Sequence, residues 1–314
     1  MNSPVTGTAP GKIILLGEHA VVYGRPAIAV PVHQVQATVT VDPAAPSSGL
    51  IVSAVDLDRV MRLNEAPEDD PLATIARLTL AHLGATAPDA TLTIRSSIPI
   101  ASGLGSGAAV STAIVRALAA YLSRELSAAV VSRLVYEVEK LHHGTPSGID
   151  NTVISFGKPV YFVRGQSPQT FGVGAPLHLW IGDTGVASPT RIAVGNVRQG
   201  WQKDAARYER LFDQVGELVE QARKIIQAGR DAVMLGILMD RNHDLLCQMG
   251  VSSPELERLV AAARAAGALG AKLSGAGRGG NMIALTRLED GTRVAEALRQ
   301  GGAVQVIGTV VPVS

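Results

Sequence analysis

Several features that mark particular classes of protein are scarce in this sequence. It has a single cysteine, Cys247, so no disulfide can form within the chain, and the apolar helical pattern around it predicts a small buried hydrophobic side chain. No uncharged stretch of about 18 apolar residues occurs, which argues against a membrane-spanning helix. The start of the chain also lacks the basic and apolar regions of a signal peptide, so we expect a cytoplasmic protein.

An excess of one charge is lacking as well. The 28 basic and 27 acidic residues are interspersed and leave a formal net charge of +1, which argues against a nucleic-acid partner. Apolar material is plentiful, because 46% of the 314 residues are hydrophobic, enough for two domains or one large one. A Gly-, Ser- and Pro-containing stretch at 165–170 lies between two strand-like runs, and we place the domains at 1–172 and 173–314.

A glycine-rich turn in the middle of the first half is the feature around which we read the chain. Residues 90–98 alternate like a strand, residues 108–122 read as an apolar helix, and Gly103, Gly105 and Gly107 lie between them. Glycines there permit positive φ and leave room for an anion, toward which the first N–H groups of the helix would point. The alternative is an ordinary strand-to-helix turn that merely uses glycines.

The first forty residues predict two strands around a polar loop. Residues 12–16 and 27–41 read as strands, and residues 17–24 form the loop between them. Lys12, Glu18 and His19 are either a solvated ion pair with a surface histidine, or groups that face a phosphate and a polar substrate.

A second polar turn follows a helix predicted for residues 127–143. Glu139 borders the apolar face of that helix, where a carboxylate is either a snorkelling surface residue or a ligand that faces a cleft. Residues 143–151 then predict a sharp turn into a strand. Asp150 and Asn151 are candidate turn formers, although a turn alone does not require so many small polar residues.

The remaining pattern alternates helices and strands. Residues 42–70 are rich in Pro, Ser, Asp and Glu and predict surface excursions. Helices are predicted at 71–83, 201–228, 231–249, 253–267 and 291–300, and strands at 159–164, 177–182, 282–285 and 303–311.

A second glycine-rich stretch, within residues 272–280, lies near the end of the chain. Gly275, Gly277 and Gly280 match G-x-G-x-x-G, but a strand rather than a helix is predicted to follow, which argues against a dinucleotide site. The Walker motif G-x-x-x-x-G-K-[ST] is absent from the sequence, so a P-loop enzyme is excluded.

Together these stretches resemble the superfamily of galactokinase, homoserine kinase, mevalonate kinase and phosphomevalonate kinase (GHMP kinases). The resemblance is carried by residues 10–24, 99–109, Glu139 with 143–151, and 272–280. The loop Gly-Glu-His-Ala-Val-Val-Tyr-Gly has the mevalonate kinase form, since galactokinases would carry Thr-Asp after the histidine. Residues 242–246 and 249–252 are similar to that branch too.

The resemblance implies an α+β kinase of two domains. The N-terminal domain would be like domain 2 of ribosomal protein S5, the C-terminal domain would be ferredoxin-like, and ATP with Mg²⁺ and the substrate would lie between them. The implied reaction transfers the γ-phosphoryl group of ATP to the C5 hydroxyl of (R)-mevalonate, giving 5-phosphomevalonate in isoprenoid precursor synthesis. A homodimer is expected from the same resemblance.

The resemblance also implies roles for individual residues. It makes Asp150 and Lys12 catalytic, and it assigns Mg²⁺ to Glu139 and Ser106. An alcohol is a poor nucleophile at neutral pH, so a carboxylate that accepts its proton and a nearby ammonium suit this chemistry. The resemblance assigns mevalonate to Glu18, His19, His143, Ser147, Gly148 and Thr190, and ATP to Pro99, Ala101, Ser102, Gly103, Leu104, Gly105, Ser106, Gly107, Ala108, Gly275, Ala276 and Gly277.

Two departures from the family pattern leave alternatives open. Gly107 stands where a second serine usually helps to hold Mg²⁺ and the β-phosphate, and Arg278 stands where glycine is usual, facing either a phosphate or solvent. A sister kinase acting on phosphomevalonate or another small alcohol is therefore one alternative. A sensor that binds ATP and a ligand without turnover is the other.

Overall fold

The computed structural model describes residues 4–99, 102–143, 146–188 and 190–313, without the side chains of residues 142, 143 and 190. The chain forms two compact units that are each assembled from separate stretches. The first unit is Met1–Gly11, Val35–Pro99 and Gly105–Gly157, and the second is Lys12–Gln34, Ile100–Leu104 and Lys158–Ser314. The predicted domain limit at residue 172 stays a prediction.

Two long strands contribute residues to both units. β1 (Val5–Leu16) pairs with β2 (Ala27–Pro43), and both were predicted, although each is longer than expected. A short 3-10 turn, Ala20–Tyr23, lies in the loop that joins them. The first polar motif therefore occupies a connection between two paired strands.

The first unit continues with a sheet and four helices. Its strand order is β4-β3-β5-β2, with β3 parallel to β5 and the other pairs antiparallel. The expectation that residues 42–70 are surface excursions is wrong for β3, whose Leu50 and Val52 are buried. Five residues between turn formers carry too little periodicity to predict a strand whose partner lies forty residues away. The elements are β3 (Leu50–Ala54), β4 (Arg59–Arg62), β5 (Ala90–Ser96), α1 (Pro71–Leu83), α2 (Ser106–Tyr121), α3 (Ala128–His143) and α4 (Ile149–Phe156).

Helix α1 follows its sequence signals at both ends. The carboxylate of Asp70 accepts a hydrogen bond of 2.8 Å from the backbone N–H of Ala73, and Pro71 occupies the first turn. Gly84 ends the helix with φ 60°. These are the capping residues that helix termini require, so the predicted limits 71–83 are confirmed.

Helix α4 corrects the prediction for the second polar turn. Residues 149–156 are helical rather than extended, and Asp150 lies in the first turn of this helix after Gly148, whose φ is 91°. The run of small residues therefore ends one helix and begins another. Eight residues with a mixed apolar pattern do not distinguish a short helix from a strand.

The second unit contains two further groups of strands and five helices. β6 pairs with β2 and with β7, and a separate antiparallel sheet has the order β11-β8-β10-β9. β9 was not predicted, because most of its residues were assigned to the glycine-rich loop at 272–280. The elements are β6 (Val160–Phe162), β7 (Gln169–Thr170), β8 (Leu177–Asp183), α5 (Thr190–Lys203), α6 (Ala205–Ala228), α7 (Ala232–Gln248), α8 (Pro254–Ala265), β9 (Gly270–Ser274), β10 (Asn281–Thr286), α9 (Gly291–Gln300) and β11 (Gln305–Val311).

The helix predicted for 201–228 is two helices. α5 ends at Lys203, and the carboxylate of Asp204 caps α6 by accepting 3.0 Å from the N–H of Arg207. Only residues 201–203 of α5 lie within the predicted range, and the rest of that helix was not predicted. The mixed α and β architecture itself is confirmed. Among the described residues, no helix is both long enough and apolar enough to cross a membrane.

The close approach of α7 to β9 yields a stability prediction. A Cβ at Gly236 would lie 2.1 Å from the carbonyl oxygen of Leu269, so Gly236→Ala must push the helix from the strand and should cost about 1–3 kcal/mol of unfolding free energy. Gly195, in α5, has no atom within 4 Å of its Cβ position, and Gly195→Ala should gain about 0.5–1 kcal/mol from helix propensity. Urea denaturation measures both changes; equal effects would contradict the close contact.

Candidate active site

The three candidate polar groups, Lys12 in β1 and Glu18 and His19 in the loop after it, are all buried. Lys12 is 4% exposed, Glu18 1% and His19 5%, so a solvated ion pair with a surface histidine is ruled out. The backbone N–H of Lys12 donates to the carbonyl oxygen of Leu104 at 2.9 Å, which ties this strand to the end of the glycine-rich turn. Burying three ionisable groups is costly unless each is compensated.

Glu18 is compensated by Lys272, which strand β9 contributes. The Nζ of Lys272 donates to the Oε1 of Glu18 and, at 2.5 Å, to the carbonyl oxygen of Leu273, while the Lys272 side chain is 0% exposed. Asn242, in α7, donates from Nδ2 to the Oε2 of Glu18 at 3.4 Å. Burial lowers the pKa of Lys272 and the Glu18 carboxylate opposes that shift. Residues 10–24, the first motif, and residues 272–280, the third motif, thus meet in a buried ion pair.

His19 is joined to the third motif by a second bond. Its Nε2 lies 3.0 Å from the carbonyl oxygen of Ala276, so we assign the ring proton to Nε2 and leave Nδ1 as an acceptor. Its φ of 60° is in the left-handed region, which costs energy for a residue other than glycine. Burial is the main cause that lowers the His19 pKa to about 4, so the ring is neutral near pH 7.

The glycine-rich loops of the second unit leave open space where an anion could bind. Gly103 and Gly275 have φ of 83° and 90°, and no atom lies within 4 Å of the Cβ position of either. Asn281 donates at 2.5 Å to the carbonyl oxygen of Ser102 and so fixes the turn that carries Gly103. Gly277 serves packing instead, since its Cβ would lie 2.0 Å from the oxygen of Val251.

Arg278 is held by neighbouring loops. Its backbone N–H donates to Val251 at 2.8 Å and its Nη2 donates to the carbonyl oxygen of Gly250 at 3.3 Å. The amide of Asn196, turned so that its oxygen faces the guanidinium, accepts from it at 2.8 and 3.2 Å. The arginine that replaces a glycine therefore links this loop to α5 and to the end of α7.

In the first unit, the N-terminal turn of α2 faces a carboxylate. Gly105, with φ 77°, precedes the helix that Ser106 begins. Glu139 is 5% exposed on α3, and its Oε1 lies 3.6 Å from where a Cβ of Gly107 would be. A hard oxygen ligand beside a glycine, a serine hydroxyl and free helix N–H groups fits a hydrated Mg²⁺ that carries phosphate.

The helix that carries Asp150, α4, is held by hydrogen bonds of the residues next to Asp150. Asn151, 6% exposed, donates from Nδ2 to the Oγ of Ser132 at 2.9 Å and to its carbonyl oxygen at 3.1 Å. Ser147 accepts 3.3 Å from the N–H of Ile149 at the beginning of the helix. Asn151 is thus an anchor that orients α4, a role that the sequence analysis missed.

Cys247 belongs to a polar cluster rather than to the apolar core. His243, Cys247 and Glu257 place ligand atoms within 4.8 Å of one another, the sole such group among the described residues. The Nδ1 of His243 accepts from the N–H of Leu273 at 3.2 Å, so its proton is on Nε2, 3.1 Å from Glu257. A neutral imidazole bound in this way has no lone pair for a metal. Burial and the Glu257 carboxylate raise the pKa of Cys247 to about 12, so the thiol stays protonated.

The predicted site residues fall into two groups. One group belongs to the second unit and comprises Lys12, Glu18, His19, Ser102–Leu104 and Gly275–Gly277. The other group belongs to the first unit and comprises Pro99, Gly105–Ala108, Glu139, Ser147, Gly148 and Asp150. Ala101 and the side chains of His143 and Thr190 lie outside the described residues. Lys272 and Asn242 were missed as individual residues; a lysine at the start of a glycine-rich motif was the available signal.

Comparisons with known proteins show which family the chain is similar to. The model of the GHMP kinases N terminal domain matches residues 71–158, and that of the GHMP kinases C terminal domain matches residues 217–304. A mevalonate kinase of Thermococcus sibiricus is 35% identical, over 96% of this chain and 95% of its own length.

Solved structures give the same result. A mevalonate kinase of L. major, crystallised with R-mevalonate, has a TM-score of 0.84 and 31% identity, over 100% of this chain and 99% of its own. A phosphomevalonate kinase of Streptococcus pneumoniae has a TM-score of 0.82 over 97% and 99%, but its 17% identity shows a shared fold alone.

The buried neutral His19 predicts a pH dependence of stability. Its pKa is about 4 in the folded protein and 6.5 in the unfolded chain, so its contribution is complete above pH 6.5 and is lost as the pH falls toward 4. His19→Gln keeps a donor for Ala276 but does not titrate. Between pH 7.5 and 5, the wild type should lose about 2 kcal/mol more unfolding free energy than this variant in urea denaturation. Equal losses would contradict a buried neutral ring.

Proposed function

The chain belongs to the mevalonate kinases of the GHMP kinase family, and we propose that it transfers the γ-phosphoryl group of ATP to the C5 hydroxyl of (R)-mevalonate. The observation that carries the proposal is the first motif. Its mevalonate kinase form, with Glu18 and His19, folds into a buried loop that is bonded to the third motif at Lys272 and Ala276. Such a loop is built to recognise a particular substrate, not merely to connect strands.

The phosphates of ATP are bound by backbone groups in this proposal. The free N–H groups of the first turn of α2 and the open backbone at Gly103 and Gly275 offer donors and space for them. Glu139 and Ser106 would hold Mg²⁺, which would neutralise phosphate charge. Gly107 stands at the place of the usual second serine, so Ser106 or a water would supply that ligand.

The hydroxyl group is activated by Asp150 and Lys12. The carboxylate of Asp150 accepts the proton of the C5 hydroxyl as its oxygen bonds to the γ-phosphorus and the bond to the β-phosphate oxygen breaks. The ammonium group of Lys12 stabilises the developing alkoxide. Each residue is carried by a regular element, because Asp150 begins a helix anchored by Asn151 and Lys12 lies within strand β1.

The remaining predicted residues recognise the substrate. Glu18, His19, Ser147 and Gly148, with His143 and Thr190, surround mevalonate in this proposal. Selectivity against phosphomevalonate and other alcohols arises there, because polar groups that lose a partner penalise the wrong substrate. A homodimer remains a prediction from the family, and a cytoplasmic location remains a prediction from the sequence.

A coupled assay of ADP release tests the proposal directly. The purified protein is given Mg-ATP with mevalonate, with phosphomevalonate, or with neither. We expect release with mevalonate alone. Release with phosphomevalonate instead would favour the sister kinase, and nucleotide binding without release with any small alcohol would favour the sensor.

Asp150→Asn should separate catalysis from structure. The amide keeps the shape of the side chain but cannot accept the proton, so turnover should fall by roughly 10²–10⁴-fold while ATP affinity stays within a few fold. Turnover, ATP affinity and melting temperature are measured on one preparation. Asp89, whose carboxylate accepts from Gly49 at 2.7 Å and Ser47 at 2.9 Å, supplies the control: Asp89→Asn should lower the melting temperature and leave turnover normal. Near-normal turnover in Asp150→Asn would remove Asp150 from the mechanism.

Glu139→Gln should weaken the use of Mg²⁺. An amide oxygen is a poorer ligand for a hard cation than a carboxylate, so the Mg²⁺ concentration for half-maximal rate should rise about tenfold or more. Glu137→Gln is the matched control, two residues away on the same helix, where Glu137 is exposed and paired with Lys140. Identical Mg²⁺ titrations for the two variants would show that Glu139 is not a ligand.

A further inference from the structure

We propose that Lys272, through Glu18, holds His19 in the orientation in which its ring accepts a hydrogen bond from a hydroxyl group of the substrate. Lys272 is then a positioning residue, and His19 is the residue that touches the substrate. This inference rests on the proposed function. It assigns to Glu18 a role different from that of a direct substrate ligand.

The contacts of Glu18 leave it poorly placed to bind substrate. Its side chain is 1% exposed, its Oε1 is bonded to the Nζ of Lys272, and the Nδ2 of Asn242 lies 3.4 Å from its Oε2. Each of these partners comes from a regular element, β9 for Lys272 and α7 for Asn242. The carboxylate is therefore a fixed point between two rigid elements and the loop that it belongs to.

His19 follows Glu18 directly in the chain, so the bonds of Glu18 also restrict the backbone position of His19. Its φ of 60° is sparsely populated for a histidine, so surrounding contacts must stabilise it. Two side-chain bonds hold the Glu18–His19 segment. Glu18 is bonded to Lys272, and the His19 ring is bonded to the carbonyl oxygen of Ala276 at 3.0 Å. Both partners belong to the third motif, so one segment determines where the ring lies.

The tautomer determines what the ring can recognise. Nε2 donates to Ala276, so Nδ1 presents a lone pair and accepts from an O–H donor. A neutral ring in this tautomer does not form an ion pair with a carboxylate. Mevalonate carries hydroxyl groups at C3 and C5, and the C5 hydroxyl reacts, so the C3 hydroxyl is the donor that can stay bound throughout the reaction.

Stability does not account for the buried ion pair between Glu18 and Lys272. Removing one partner of a buried ion pair leaves an uncompensated charge, whereas replacing both with apolar side chains of similar volume is often neutral for stability. Stability alone therefore does not require this pair. Its effect on the position of His19 is what a double replacement would lose.

The test is the double variant Glu18→Met with Lys272→Met. We expect it to fold, with a KM for mevalonate about tenfold or more above wild type and a KM for ATP within about twofold. We also expect wild type to prefer mevalonate over 5-hydroxy-3-methylpentanoate, which lacks the C3 hydroxyl, by about tenfold or more in kcat/KM, and the double variant to lose most of that preference.

Controls separate this role from a structural one. Leu298 is 0% exposed in α9, so Leu298→Ala should destabilise the same unit without altering either KM. If the double variant does not fold, Asn242→Leu, which removes one bond to Glu18 and no charge, carries the test and should raise the KM for mevalonate alone several-fold.

An unchanged KM for mevalonate, or an unchanged preference between the two substrates, in whichever of these two variants folds would overturn the proposal. Wild-type turnover of mevalonate with that outcome would leave the proposed function intact. Wild-type protein inactive with both substrates would overturn the proposed function and this inference together.

Discussion

The buried ion pair between Glu18 and Lys272 is the constraint on which the position of the loop after β1 depends. Two charged side chains, exposed by 1% and 0%, are stable together only because each compensates the other. Their distance along the chain, 254 residues, means that the pair forms when the loop after β1 and strand β9 have both reached their places. The position of the loop at residues 17–24 is consequently determined by a strand near the other end of the chain.

Polar side chains of α7 and α8 connect this pair to its surroundings through hydrogen bonds. Consecutive residues of α7 serve both motifs, since Asn242 reaches Glu18 and His243 accepts from the backbone of Leu273 in β9. Glu257 then determines which nitrogen of His243 carries the proton. A residue as remote in sequence as Glu257 is thereby connected through hydrogen bonds to the strand that supplies Lys272.

In the function that we propose, catalysis and recognition place different demands on the backbone. Phosphate binding needs open space beside backbone N–H groups, which Gly103 and Gly275 supply with φ of 83° and 90°. Substrate recognition needs a side chain in a fixed orientation, and His19 accepts a strained φ to achieve it. The chain thus uses glycine where the ligand approaches backbone and tolerates strain where a side chain must be aimed.

The sequence by itself determined the family, the mixed α and β fold, and helices such as α1, whose capping residues lie next to it. These signals are local, so they can be read without knowing the fold. Only the tertiary structure decided that Lys272 pairs with Glu18, that Cys247 bonds to Glu257, and that Asp150 begins a helix anchored by Asn151. Those outcomes depend on which distant segments meet and on how far water is excluded there, and neither is encoded in the spacing of neighbouring residues.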